Sequence, residues 1–234
     1  GPEGYDPLLI AAVEEGGQEL GLAGFKVLPL EFKAVHWNAL HGTRYDRILC
    51  ALREEPALRG ADVVSLNETD LGLARSGNCD VAFDLARELG MHAAWASLFL
   101  ELEAGFRSPP EVARLEQREA LFGLALLSRF PLGTVQRVEL ETPEDLLFDR
   151  ERHVGRFVAL VAEVLRPGRP FHAIVTHLDV HGSPQWRLAQ MRMVLDAIPA
   201  GPAILLGDLN TTTFRRGSAA RSLQALAVMA FSPR

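Results

Sequence analysis

An apolar run that ends abruptly in polar side chains is the stretch that most constrains the fold. Residues 203–206 are apolar and predict a short buried strand, and Gly207, Asp208 and Asn210 follow it directly. Because side chains alternate along an extended chain, Asp208 and Asn210 share one face where the strand ends. A carboxylate beside an amide can hold a water, a metal ion or a phosphate, but the same pair is common in turns. The stretch therefore predicts either a binding site or a plain turn.

A strand, a helix and a second strand follow one another in the first part of the chain. Residues 32–38 predict a strand, Thr43 is placed to cap a helix, and residues 61–66 predict the next strand. This order predicts two parallel strands joined by a crossover helix, which is typical of α/β proteins. The 234 residues suffice for one α/β domain. We expect a lead-in segment over residues 1–30 and a single domain over residues 31–234.

The middle of the chain predicts a further helix and a hairpin. Asn78 is placed to cap a helix that ends at Gly90. Residues 122–128 are apolar and predict another strand. A Pro-containing turn follows, so we expect residues 122–128 to form an antiparallel hairpin with residues 134–140.

The last third of the chain continues the alternation of strands and helices. Residues 156–164 and 170–176 predict neighbouring strands, and residues 218–229 predict a final helix. Ser183, followed by Pro184, predicts the start of a helix after the strand at residues 170–176. We expect the apolar stripe of that helix to face the core, at Leu188, Met191, Val194, Leu195 and Ile198.

Composition narrows the classes of function. The chain is 48% hydrophobic and 23% charged, as in ordinary globular domains. Its net charge of −6 argues against a broad nucleic-acid-binding surface, which needs an excess of basic residues. A local site for a phosphorylated small molecule stays open, and no protein partner is indicated.

The location of the protein is only weakly indicated by the sequence. No run of residues is long and apolar enough for a transmembrane segment. No signal-peptide pattern is present either, which favours a cytoplasmic location. The chain begins with Gly1-Pro2 rather than with Met, so the compartment itself stays unknown.

Polar side chains stand at four predicted strand ends: Asn38, Glu68, His177, and Asp208 with Asn210. Strand ends are where α/β folds bind ligands. Glu68 offers the hard oxygen ligand that suits Mg²⁺ or Mn²⁺. Asp208 can orient a water, and His177 can donate a hydrogen bond to a phosphoryl oxygen as charge develops there. These residue types together indicate phosphate chemistry with a divalent cation.

Five short motifs occur in an order that resembles the endonuclease/exonuclease/phosphatase superfamily, which includes nucleases related to DNase I. They are residues 33–38, 66–68, 126–132, 176–178 and 207–210. The resemblance implies an α/β (α+β) fold with two mixed β-sheets packed as a sandwich and flanked by helices. It also implies hydrolysis of a phosphoester by in-line attack of an activated water, in a phosphodiesterase or a phosphatase. The substrate could be a small molecule, a lipid headgroup or a nucleic acid.

The resemblance also implies a role for each site residue. Glu68 corresponds to the metal-binding glutamate of the family, although Asn67 precedes it where the family has glutamine. The implied catalytic residues, which hold the metal, the phosphate or the water, are Asn38, His177, Asp208 and Asn210. His41, His181 and Arg75 follow the predicted site strands, and each is expected either to contact substrate or to lie in a solvated loop.

One departure from the family pattern bears on activity. Family members end with another strand that carries an Asp-His pair, whereas this sequence has no histidine after His181 and no acidic residue after Asp208. We expect a chain that is truncated before its final strands, with doubtful activity in the form given. The alternative is a catalytically inactive, family-like scaffold that binds a phosphorylated ligand or a protein partner. The intact upstream residues favour truncation.

Overall fold

The computed structural model describes residues 32–103, 110–142 and 152–211, and these residues form nine strands and three α-helices. The strands are β1 Ala34–His41, β2 Val63–Leu71, β3 His92–Glu101, β4 Leu121–Ser128, β5 Leu132–Glu139, β6 His153–Gly155, β7 Val158–Val164, β8 Phe171–His177 and β9 Ala203–Asp208. The helices are α1 Tyr45–Glu54, α2 Val81–Leu89 and α3 Pro184–Asp196. Over these ranges, no helix is long and apolar enough to cross a bilayer.

The strands form two mixed sheets. Sheet 1 has the order β1-β2-β4-β3-β6, and sheet 2 has the order β5-β7-β8-β9. The pairs β1–β2 and β8–β9 are parallel, whereas the other pairs are antiparallel. Strands of the two sheets contact one another, for example β2 with β8 and β4 with β7. The predicted α/β sandwich of two mixed sheets is confirmed.

The central strands of sheet 1 are buried on both faces. Seven of the eight residues of β4 are buried, because one face of sheet 1 packs on sheet 2 and the other on helices α1 and α2. The core between sheet 1 and these helices includes Ile48 and Leu52 from α1, Val81 and Leu85 from α2, and Leu66 from β2. This packing fixes β2. The predicted strand ends at Asn38 and Glu68 are wrong, because β1 continues to His41 and β2 to Leu71, so both residues lie within their strands beside register shifts.

Two predicted helix caps are wrong, and one is confirmed. Thr43 does not cap α1, because its hydroxyl donates to the Leu40 carbonyl instead. Asn78 does not cap α2 either, since its backbone is left-handed and Asp80, two residues later, accepts from the Phe83 amide. Ser183 does cap α3, through a hydrogen bond from the Trp186 amide.

The predicted hairpin between residues 122–128 and 134–140 is also wrong. Strand β5 pairs with β7 in sheet 2, so the chain crosses from one sheet to the other at Pro131. The physical reason is that β4 lies between β2 and β3, which occupy both of its edges. Residues 156–164 and 170–176 do contain neighbouring strands, β7 and β8, as predicted.

Helix α3 faces the core with polar residues rather than with its full apolar stripe. Its buried residues are Arg187, Gln190 and Val194, whereas Leu188 and Leu195 are about half exposed, at 50% and 52%. The polar face is buried because it bonds the segment after β8: Gln190 Oε1 accepts from the Asp179 amide at 3.0 Å. The predicted lead-in segment and the helix over residues 218–229 lie outside the described residues.

Candidate active site

The two sheets bring the predicted strand-end residues together. Because β1 and β2 are parallel, as are β8 and β9, each pair presents its carboxyl ends at one edge. The Asn38 amide nitrogen lies 2.8 Å from Glu68 Oε1 in sheet 1 and 3.5 Å from Asp208 Oδ2 in sheet 2. His177 pairs with Asp208 in register, and its Nε2 lies 4.0 Å from Asp208 Oδ2. Four of the five predicted strand-end side chains therefore lie together in one partly exposed cluster, which we call the cleft.

Asn38 orients Glu68. Its Oδ1 accepts from the Leu40 amide at 3.1 Å, which fixes which way the amide group points. Its Nδ2 donates to Glu68 Oε1, so that this oxygen is engaged within the protein. Glu68 Oε2 then faces His41 Nε2 at 3.8 Å, beyond hydrogen-bond distance. Asn38 thus engages one carboxylate oxygen of Glu68 and not the other.

Three of the predicted site residues have a left-handed backbone. The φ angles are +66° at His41, +56° at Glu68 and +48° at Asn210, a region that non-glycine residues seldom occupy. The β1–β2 register shifts between Asn38 and His41, and the β2–β4 register shifts between Leu66 and Thr69. Such bulges re-aim side chains at the ends of strands, and backbone strain of this kind is concentrated at functional sites.

A buried ion pair lies beneath Glu68. Arg75 Nε and Nη2 donate to the two oxygens of Asp70 at 2.8 and 2.9 Å. Glu101 Oε1 lies 3.4 Å from Arg75 Nη2. Burial raises the pKa of Asp70, although the Arg75 guanidinium opposes that change. Arg75, with a side chain only 5% exposed, is engaged by protein carboxylates, and its contact with substrate stays a prediction.

His41 lines the cleft as a neutral side chain. Burial lowers its pKa to about 3, and the positive charge of Arg75 acts in the same direction. Its Nδ1 lies 3.8 Å from Asp70 Oδ1, and its ring contacts Phe122 with centroids 5.4 Å apart. An uncharged imidazole forms no ion pair with these carboxylates. A substrate contact through His41 stays a prediction.

His177 is also held in a desolvated position. Burial lowers its pKa, while the negative charges of Glu68 and Asp208 oppose this change. The neutral ring carries one N–H donor and one acceptor nitrogen. Its place beside Asp208 and its N–H donor fit the contact to a phosphoryl oxygen that the sequence predicts.

Asn210 and His181 lie in loops beside the cleft. The Asn210 side chain donates to the Leu178 carbonyl at 2.6 Å, and its backbone amide donates to Asp208 Oδ1 at 3.0 Å. The His181 side chain is exposed, and its backbone amide donates to Asp179 Oδ1 at 2.8 Å. Asn210 therefore ties the strand end to its neighbour, and contact of either residue with phosphate or substrate stays a prediction.

His36 is a site residue that the sequence interpretation missed. Its Nδ1 lies 3.1 Å from Ser65 Oγ, and burial lowers its pKa, with the charge of Asp208 opposing. The signal was available, because His36 precedes Asn38 by two residues and a strand places such pairs on one face.

The donor set of the cleft fits a hard cation. Among the described residues, no three histidine, cysteine or carboxylate side chains group closely enough to enclose a metal alone. Mg²⁺, however, keeps several waters and is commonly bound by one or two carboxylates. Glu68 and Asp208 face the cleft with one neutral amide between them. The residues present therefore fit a divalent cation that keeps several waters better than a cation enclosed by protein ligands alone.

Two solved structures have folds similar to that of this chain. An endonuclease/exonuclease/phosphatase structure from Beutenbergia cavernae DSM 12333 aligns with 26% identity and a TM-score of 0.55, covering 84% of this chain and 52% of that one. An endonuclease/exonuclease/phosphatase family protein from Leptotrichia buccalis C-1013-b aligns with 11% identity and the same TM-score, covering 84% and 73%. The chain thus spans about half the length of the first structure.

The family of this chain is shown by one of two sequence comparisons. A search of curated protein sequences returned no match. The model of the endonuclease/exonuclease/phosphatase family matches residues 35–226, which is most of the chain. With the sandwich of two mixed sheets and the polar cleft at their strand ends, this match shows that the chain belongs to the endonuclease/exonuclease/phosphatase family.

Proposed function

We propose that this protein is a metal-dependent phosphoester hydrolase, in which Glu68 binds Mg²⁺ or Mn²⁺ and Asp208 orients the attacking water. The observation that carries the proposal is the position of the Asn38 amide nitrogen, 2.8 Å from Glu68 and 3.5 Å from Asp208. Two carboxylates from different sheets thereby face one another across a cleft. That arrangement suits a metal-bound phosphoester on the Glu68 side and an attacking water on the Asp208 side.

The chain's own groups divide the reaction between the two sheets. Asn38 holds the Glu68 carboxylate in one orientation, and Asp208 accepts a hydrogen bond from the water that attacks phosphorus in line. His177 donates its N–H to a phosphoryl oxygen where negative charge develops. A bound divalent cation supplies Lewis-acid stabilisation of that charge. Asn210 fixes the Asp208 carboxylate through its backbone amide.

The substrate class is a phosphodiester or phosphomonoester on a small molecule, a lipid headgroup or a nucleic acid. The net charge of −6 makes bulk duplex DNA the least favoured of these. The family name covers both nucleases and phosphatases, so it does not choose between the two ester types. Parallel assays of both types make that choice.

The experiment measures hydrolysis of bis(p-nitrophenyl) phosphate and p-nitrophenyl phosphate by the full-length protein, with Mg²⁺, with Mn²⁺ and with EDTA. We expect turnover that EDTA abolishes and that Glu68→Gln or Asp208→Asn reduces by at least 10²-fold. Glu139→Gln is the matched control, because it makes the same chemical change at an exposed carboxylate. Equal rates in the site variants, or in EDTA, contradict the proposal.

The inactive-scaffold alternative makes a different prediction for the same samples. A scaffold binds a phosphorylated ligand without turning it over. Calorimetric binding of a non-hydrolysable phosphate analogue with no turnover of either ester, in every metal condition, favours the scaffold over the hydrolase.

A further inference from the structure

Three residues, each immediately before a site residue, meet where the two sheets contact one another: Asn67 and Thr176 are buried, and Gly207 is partly buried. Asn67 precedes Glu68, Thr176 precedes His177, and Gly207 precedes Asp208. Asn67 is fully buried in sheet 1, and its side-chain Nδ2 donates to the Thr176 carbonyl of sheet 2 at 3.0 Å. We call Asn67, Thr176 and Gly207 the clasp.

Gly207 allows β9 to pack closely against the Thr176 carbonyl. It pairs in register with Thr176 on the adjacent parallel strand. A Cβ atom at residue 207 would overlap the Thr176 carbonyl oxygen. The same carbonyl oxygen is therefore approached by the Asn67 amide from one sheet and by the Gly207 backbone from its own sheet. A larger residue at 207 cannot keep that spacing.

Asn67 is a poor choice for stability alone. Its Oδ1 is buried and has no hydrogen-bond partner among the residues that the structure describes, and the same is true of Thr176 Oγ1. A buried polar atom that lacks a partner is destabilising, whereas an apolar side chain of similar size avoids this cost. The directional hydrogen bond to the Thr176 carbonyl is what an apolar side chain cannot supply.

We infer that the clasp sets the position of Glu68 relative to His177 and Asp208, and that Asn67 is a positioning residue for hydrolysis. The inference rests on the proposed function. Each half of the site has its own internal contacts: Asn38 with Glu68 in sheet 1, and the Leu178 amide with the Asp208 carbonyl in sheet 2. The Asn67–Thr176 bond joins the two halves one residue away from the reacting groups.

The inference predicts a specific kinetic signature. Removing the Asn67 amide leaves Glu68 and Asn38 in place, so the Mg²⁺ concentration for half-maximal activity changes by less than about threefold. The relative position of the two halves changes, and a misplacement of about 1 Å costs about 10²-fold in rate. We expect kcat to fall by about that factor, with a smaller change in KM.

The test compares Asn67→Leu with two other variants. Gly207→Ala disturbs the same carbonyl from the opposite side, so it tests the clasp even if Asn67→Leu folds poorly. Ser128→Ala is the control, because it removes another buried side chain that accepts a hydrogen bond, at the far end of β4.

Amide hydrogen exchange gives a readout that needs neither metal nor substrate. The Leu178 amide donates to the Asp208 carbonyl at one end of the β8–β9 pair. The His172 amide donates to the Pro202 carbonyl at the other end. In Asn67→Leu and Gly207→Ala, we expect Leu178 to exchange at least tenfold faster relative to His172 than in the unmodified protein. Ser128→Ala leaves that ratio unchanged.

The outcomes separate the clasp from the proposed function. A changed exchange ratio together with the fall in kcat supports the clasp as a positioning device. An unchanged ratio in both clasp variants overturns it, whatever the activity. If the unmodified protein hydrolyses neither ester with Mg²⁺ or Mn²⁺, the proposed function fails, and the exchange ratio still decides whether the clasp holds the strand ends.

Discussion

The Glu68 side and the Asp208 side of the cleft are held in different ways. Beneath Glu68, the Asp70–Arg75 pair is almost fully buried, with side-chain exposures of 0% and 5%. On the opposite side, the Asp208 side chain is 34% exposed, and its Oδ1 accepts from the backbone amide of Asn210 in a local turn. One carboxylate stands above a buried charge network, and the other at the open end of a strand.

In the proposed function, this difference fits separate tasks for the two carboxylates. Buried charges tolerate little movement, because any displacement leaves a desolvated group unpaired. A fixed carboxylate suits a metal ligand, whose geometry must be set in advance. A carboxylate in a solvated turn is suited to meeting an incoming water. Variants on the Glu68 side and on the Asp208 side should therefore respond differently.

The largest expected effect comes from removing the buried cation on the Glu68 side. Arg75→Met leaves Asp70 and Glu101 buried without their shared guanidinium, which we expect to cost about 3–5 kcal/mol of unfolding free energy. Asp208→Asn, at the open side, is expected to cost less than about 1 kcal/mol. Urea unfolding followed by circular dichroism measures both. Similar losses in the two variants break the comparison.

The two carboxylates should also differ in the kinetic parameter that they control. Glu68→Gln is expected to raise the Mg²⁺ concentration for half-maximal activity by at least tenfold, because it removes the charge of the proposed metal ligand. Asp208→Asn is expected to lower kcat by about 10²-fold at saturating Mg²⁺. Metal titrations of initial rates separate the two effects. The contrast is refuted if both variants shift the metal requirement equally.

A smaller effect is expected where helix α3 supports the Asp208 side. Gln190 bonds the Asp179 amide and the Glu141 carbonyl, at 3.0 and 2.7 Å. Gln190→Leu leaves both backbone groups without that partner, and we expect a loss of about 1–3 kcal/mol. Chemical unfolding gives the value. A neutral result means that polar contacts from α3 do not hold this side.

The smallest expected effects compare helix starts on the two sides. Ser183 caps α3, so Ser183→Ala should cost about 1 kcal/mol. Thr43 precedes α1 without capping it, and Thr43→Ala should stay within about 0.5 kcal/mol. Thermal unfolding of the pair measures the difference, and equal losses mean that Thr43 stabilises α1 by another route.

The fold class could be predicted from the sequence, and so could most of the side chains that meet in the cleft. Polar residues at predicted strand ends, together with the resemblance to the family, identified Asn38, Glu68, His177 and Asp208, and the structure brings these four together. Parallel pairing explains this success, because strands that run the same way deliver their ends to the same edge.

Features that depend on tertiary context could not be predicted. The turn between β4 and β5 looks like a hairpin locally, but the edges of β4 were already occupied. The stripe of α3 indicated an apolar contact, whereas the strand-end loop required the polar face. The Asp70–Arg75 pair depends on how a loop folds back under β2, which no periodicity reports.

The route of the chain through the sandwich has a consequence for biosynthesis. Asn38 and Asp208, whose side chains approach in the cleft, are 170 positions apart. Pairings at such separation raise contact order and slow folding, since a long loop must close before they contribute. A nascent chain on the ribosome therefore cannot bring Asp208 next to Asn38 until β9 has emerged.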